Sequence, residues 1–234
     1  MKKRLFEYFS KFEIGLWISS VAVIILSYTL SGNDQWMYML TSLIGVTSLI
    51  FIAKGNVMGQ VLMVVFCMLY GVISYSYRYY GEMITYLGMS MPISLASVVT
   101  WMSHPFEGRK NEVKVSSLNW KDYAVIGVVV VIATAFFGWL LVLLKTANLI
   151  FSILSIFTSV VAVLLSMRRS PVYALGYALN DVVLIVLWLM ASAENSDYLG
   201  MVFCFLAFLA NDLYGFVSWK RMERRQRGCQ NGRE

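Results

Sequence analysis

The sequence predicts an all-α integral membrane protein with eight transmembrane helices. One extra N-terminal helix precedes two parallel three-helix repeats that are joined by a linker helix. Three observations carry this. The 234 residues are 59% hydrophobic and only 14% charged, against about 25% charged in an ordinary soluble domain. Eight continuous apolar stretches are each long enough to cross a bilayer, which takes about 17–25 residues. The segments between them alternate between strongly basic and nearly uncharged. The composition excludes a water-soluble enzyme, a disordered scaffold and a nucleic-acid-binding domain. Continuous rather than alternating apolar runs exclude a β-barrel.

Helix one spans 14–31. Lys2, Lys3 and Arg4 ahead of it resemble the start of a signal peptide, but the polar lead runs on to Glu13 and no small-residue cleavage site follows. The expected result is a retained segment on the cytoplasmic side. Helices two (37–53) and three (57–76) are separated by a short turn at Lys54. Helix four (82–101) contains Pro92, which lacks a backbone donor and is expected to kink it. A basic loop with Arg109, Lys110, Lys114 and Lys121 leads to helix five (123–143). Its run Val128–Phe137 is apolar nearly all round, as in a lipid-facing linker. Helix six (148–166) ends at Arg168 and Arg169. Helix seven (171–191) starts at Pro171, in a first turn where proline is tolerated. Helix eight (198–219) ends in a basic tail, 220–234, suited to meeting the membrane surface.

Counting crossings from the N-terminus puts 17 of the 19 lysines and arginines on one side, and only Arg78 and Lys145 on the other. The positive-inside rule makes that side cytoplasmic and places both termini there, in a plasma or inner membrane. The net charge of +6 therefore calls for no nucleic acid. Cys67, Cys204 and Cys229 show no paired spacing, and His104 is the only histidine, so neither a disulfide framework nor a metal site is expected.

The stretch Met91–Trp101, closing helix four, is similar to Leu209–Trp219, closing helix eight. Leu95, Val99, Thr100 and Trp101 match Leu213, Val217, Ser218 and Trp219. The same offset pairs Tyr80 with Tyr198 and Tyr70 with Trp188. Helices two to four and six to eight (37–101 and 148–219) are therefore two copies of one unit. Four crossings separate their starts, so the copies have the same orientation, as in one class of transporter.

Residues three and four apart share a helix face. Helix four carries Tyr86, Ser90, Ser94, Ser97 and Trp101 on one stripe, and helix six carries Asn148, Ser152, Ser155, Ser159 and Ser166. Helix two adds Thr41, Gly45 and Ser48. Helix three adds Gln60, Cys67, Gly71 and Ser74. For the serine stripes alone, helix packing is the favoured reading. Helices seven and eight alter the balance with Asn180-Asp181 and Asn211-Asp212. A carboxylate at mid-bilayer costs about 2.5–3.5 kcal/mol on insertion scales, so two of them point to a polar interior site. Asn180, Leu184 and Trp188 share one face, and Asn211, Tyr214 and Ser218 another. Tyr70, Tyr173, Tyr177 and Trp188 offer rings for stacking, including on a cationic ring. The candidate site is thus Gln60, Tyr70, Tyr173, Tyr177, Asn180, Asp181, Trp188, Asn211, Asp212 and Tyr214. It suits a small molecule with a ring and a sugar. No phosphate-binding glycine loop, catalytic triad or cofactor motif accompanies it.

Several stretches resemble the PnuC family of nicotinamide riboside and related vitamin transporters: Leu69–Tyr75, Tyr80–Ile84, Arg168–Pro171, the run ending in Asn180, and Gly215–Trp219. The resemblance spans about residues 37–220 of the sequence. It implies a SWEET-like architecture, a homotrimer with one path per subunit, and facilitated diffusion with trapping by a cytoplasmic kinase. It also implies that Asn180 faces the substrate. The family pattern places tryptophans ahead of that Asn, where this chain has Tyr173 and Gly176, with Tyr177 adjacent. The alternatives are another vitamin, thiamine or riboflavin, proton-coupled transport, or a membrane enzyme or assembly subunit. The last would need a catalytic cluster in the loop around His104, Glu107 and Glu112.

Overall fold

The computed structural model describes residues 8–30, 36–76, 80–146, 148–194 and 198–231. Lys2, Lys3, Arg4, Arg78 and Arg233 of the charge pattern, and Ser31 at the end of the first stretch, lie outside them. The described residues form eight helices long and apolar enough to cross a membrane. These are α1 (Lys11–Leu30), α2 (Trp36–Ala53), α3 (Val57–Ser76), α4 (Tyr80–Met102), α5 (Trp120–Leu143), α6 (Leu149–Met167), α7 (Tyr173–Glu194) and α8 (Leu199–Asn231). Each coincides with one apolar stretch of the sequence.

The packing order explains the two-triplet pattern. In each triplet the middle helix touches both neighbours: α3 lies between α2 and α4, and α7 between α6 and α8. Across the triplets, α4 packs on α6 and α8 packs on α2. The third helix of each unit thus closes on the first helix of the other, giving a ring of six. The linker α5 packs on α6 and turns Val128, Val131 and Ile132 outward. Helix α1 lies against α2 and α8. Its first turn is a reciprocal cap, with Ser10 N–H donating to Glu13 at 2.6 Å and Glu13 N–H to Ser10 Oγ at 3.2 Å.

The residues matched between the repeats occupy equivalent places. Trp219 donates its indole N–H to Ile52 O at 2.8 Å, near the end of α2, and Trp101 donates to Ser166 O at 3.0 Å, near the end of α6. Each carbonyl also takes the N–H of the following turn, from Gly55 and Arg169 respectively. Both turn residues have positive φ, +67° at Gly55 and 57° at Arg169. The two indoles meet at 5.3 Å between ring centres. This geometry fits two like-oriented copies related by an approximate two-fold axis.

Three features depart from the sequence reading. First, Pro92 is accommodated by a π-helical segment, Ile84–Ser90, ahead of the α-helix Met91–Met102. The Met91 N–H reaches back five residues to Tyr86 O, so the widened turn absorbs the missing donor at Pro92. Second, the loop after α4 holds a hairpin, β1 (Pro105–Phe106) and β2 (Arg109–Val113). Its two-residue turn puts Glu107 at φ 50° and Gly108 at φ +72°, the left-handed pair that tight hairpins require. Third, the helix entered at 198–219 does not stop at Trp219. It continues to Asn231 because its basic tail is rich in good helix formers and is paired along its length. Lys220 and Arg227 both meet Glu223, at 3.0 and 2.7 Å, and Arg225 bonds Glu112.

These departures work together at one end of the bundle. Val113 N–H donates to Gly55 O, Ser116 N–H to Arg169 O, and Val115 N–H to Gln226 Oε1. The segment after α4 therefore ties both repeat turns to the extension of α8. Lys54, Lys114, Arg168, Arg169 and Lys220 are gathered there, so this is the basic end of the molecule.

Candidate functional site

All six ring helices contribute to one internal cavity. Its walls are Leu49 from α2; Met63, Phe66 and Cys67 from α3; Tyr86, Ser90 and Ser94 from α4; Ser159 and Val163 from α6; Tyr177, Asn180 and Asp181 from α7; and Phe205, Phe208 and Asp212 from α8. No single helix makes the site; the ring closure does. Gly45 allows it to pack, since a Cβ there would lie 2.4 Å from Phe208 and 2.9 Å from Phe66.

Asn180 is held by the serine stripe of α6. Its Oδ1 lies 2.9 Å from Thr158 Oγ1, 2.9 Å from Ser159 Oγ and 3.5 Å from Ser155 Oγ. Hydroxyl donors on the oxygen orient the amide, and its NH2 donates to no described residue. The stripe thus serves both packing and positioning. Asp181 and Asp212 are buried, 3% and 4% exposed, within hydrogen-bonding reach of each other. Asp181 Oδ2 has no hydrogen-bond partner among the described residues.

Aromatic layers close the cavity at both ends. Toward the basic end, Tyr177 meets Tyr173 at 6.0 Å, and Tyr173 meets Trp219 at 4.9 Å beneath the indole pair. Toward the opposite end, Tyr86 meets Tyr70 at 4.4 Å between ring centres with the planes tilted by 56°, and Tyr70 OH donates to the buried Glu82 at 3.4 Å. The remaining volume is about 30 Å³, room for a water or two. A ring-bearing ligand therefore needs these layers to part.

Of the ten sequence candidates, Tyr177, Asn180, Asp181 and Asp212 line the cavity. Tyr70 and Tyr173 form the layer behind its wall. The other four stand elsewhere. Gln60 donates to Ser166 Oγ at 3.0 Å, toward the basic end. Trp188 packs on Tyr198 at 5.6 Å, toward the opposite end. Asn211 donates to Ser20 Oγ at 2.9 Å, and Tyr214 to Glu13 at 2.7 Å. That face of α8 holds α1. Cys67, Tyr86, Ser90, Ser94 and Ser159 were visible as polar stripes but absent from the candidate set. Gly176, at a position where the family pattern has an indole, is closed by helix packing: a Cβ would approach Ala162 Cα to 2.9 Å. Tyr177 next to it supplies the ring at the cavity.

A larger groove of about 350 Å³ lies between α1 and α2, but its polar groups are already taken. Glu13 binds Lys54 at 3.3 Å and Tyr214, and Thr47 accepts from Trp17 at 3.1 Å. Among the described residues no cluster of metal-ligating side chains occurs.

The family described as nicotinamide mononucleotide transporter matches residues 35–221. The chain belongs to that family. Two relatives bear the name nicotinamide riboside transporter PnuC. The one from Neisseria mucosa is 24% identical over 232 residues, 97% of this chain and 88% of the relative. The one from Haemophilus influenzae is 21% identical over 227 residues, 96% of each. A crystal structure described as the vitamin B3 transporter PnuC shares the fold, with a TM-score of 0.82 and 22% identity over 96% of this chain and 97% of that one. The PnuC resemblance read from the sequence is thereby established. The chain is a multi-pass membrane transporter of a small molecule rather than an enzyme.

Proposed function

We propose that the protein takes up nicotinamide riboside by facilitated diffusion. The observation that carries this is the central cavity. It combines an oriented amide, an acid pair, hydroxyls and tyrosine rings, a donor–acceptor set suited to a ring joined to a sugar. The names of the relatives favour the same ligand. Equivalent helices on either side of the cavity support alternating access by rocking of the two triplets about it. A cytoplasmic kinase traps the riboside by phosphorylation, and the assembly is a homotrimer with one path per subunit, as the resemblance implies. The gathering of Lys54, Lys114, Arg168, Arg169 and Lys220 at one end supports placing that end in the cytoplasm.

Uptake of labelled riboside into proteoliposomes tests this reading. The expected result is saturable uptake that a proton ionophore leaves unchanged, and that excess thiamine or riboflavin does not compete away. Uptake abolished by the ionophore contradicts uniport. Displacement by either vitamin reassigns the substrate.

A further inference from the structure

Asp181 and Asp212 give the cavity an unusual electrostatic character. Fifteen side chains line it, and none is a lysine, arginine or histidine. Both acids are buried, and Asp181 Oδ2 is without a partner among the described residues. Two ionised carboxylates only accept hydrogen bonds, so a facing pair at mid-bilayer holds a proton between its members. Ionised once, the pair carries one negative charge that none of the lining side chains offsets. An uncompensated charge in this setting is costly, and a monocationic ligand converts it into a neutral complex. Tyr86 and Tyr177 line the same space, and the negative faces of their rings add to the attraction.

Building on the proposed function, we infer that Asp181 and Asp212 form a cation subsite that selects the positively charged pyridinium form of the ring over an uncharged ring of the same shape. Asn180 and the serine hydroxyls then serve the uncharged parts of the ligand. The acids act on charge and the amide on shape, so the two contributions separate experimentally.

The probe pair is nicotinamide riboside and its neutral 1,4-dihydro form, which keep the same ring substituents and sugar. Binding of each to the purified full chain is measured by calorimetry. The parent chain is expected to favour the cation by at least about tenfold. In the double variant Asp181→Asn/Asp212→Asn, which removes the charge altogether, the cation weakens until the preference is about threefold or less. A cooperative thermal unfolding transition shows that the variant folds. Equal binding of the two forms by the parent chain overturns the inference without recourse to any variant and leaves the transport reading standing. Full cation preference in the double variant overturns it as well. Binding of neither form overturns the transport reading, and this inference with it.

Discussion

Asn180→Leu is expected to lower the affinity for nicotinamide riboside by at least about 30-fold, whereas Asn211→Ala leaves it within about threefold of the parent chain. The contrast follows from where the two amides point. Asn180 lines the cavity with its oxygen occupied by Ser159 and Thr158 at 2.9 Å. Its NH2 is the part offered to a ligand. Leucine keeps the same branching and number of side-chain heavy atoms, so no void confuses the result. It removes the amide donor from the cavity and strands the Ser159 hydroxyl, whereas Thr158 retains the carbonyls of Leu154 and Ser155. A lost hydrogen bond of about 0.5–1.5 kcal/mol, with a desolvated group left over at about 1–3 kcal/mol, corresponds to the expected fold-change at about 1.4 kcal/mol per tenfold. Asn211 donates to Ser20 of α1 and to Ala207 O within its own helix. Its loss loosens α1 and lowers the melting temperature. Calorimetric titration of both purified variants checks the pair. Equal losses of affinity, or a larger loss in Asn211→Ala, contradict the assignment.

Trp219→Ala is expected to cost about 3–5 kcal/mol of stability, the range for truncating a large buried aromatic. Trp219 is fully buried. It packs on Trp101 and Tyr173 at 5.3 and 4.9 Å, and it joins α8 to the end of α2 through Ile52 O. One substitution therefore weakens the contact between triplets and opens the closure on the basic side. Trp219→Phe keeps one aromatic ring and loses the N–H together with part of the indole's bulk. Because Ile52 O still takes the Gly55 N–H at 2.8 Å, the phenylalanine variant should lose about 2 kcal/mol, from the hydrogen bond and the smaller ring. Thermal unfolding in detergent should rank the parent above Trp219→Phe and both well above Trp219→Ala. If the alanine variant melts with the phenylalanine variant, the indole pair is not a principal tie between the halves.

The helices were legible because a bilayer imposes long continuous apolar runs, a signal that is local in sequence. The repeat reading fits at Trp101 and Trp219, where each indole makes the same kind of bond to the far triplet. The π-segment at Ile84–Ser90 and the hairpin at Pro105–Val113 were not legible, since one depends on how a helix resolves a missing donor and the other on contacts with Gly55 and Arg169. The helical tail escaped notice because hydropathy ends at Trp219 while helix propensity does not. The lining of the candidate cavity was legible only in part, for a related reason. Periodicity correctly put Asn211 and Tyr214 on one face of α8, but it carries no information about what that face meets. It meets α1. Asp212, one residue along and about 100° around the helix, faces the cavity instead. Asn180 and Asp181 both reach the cavity because α7 exposes a broader arc to it.

In the proposed mechanism the ligand occupies the cavity ringed by α2, α3, α4, α6, α7 and α8. Cys67 lines that cavity, whereas Cys204 and Cys229 do not. The decisive measurement is therefore the rate at which a small neutral maleimide alkylates Cys67 in a chain carrying Cys204→Ser and Cys229→Ser, reconstituted in liposomes. With saturating nicotinamide riboside the rate should fall at least about tenfold, as mass action keeps the cavity filled. An alkylation rate unchanged by the ligand would contradict the account.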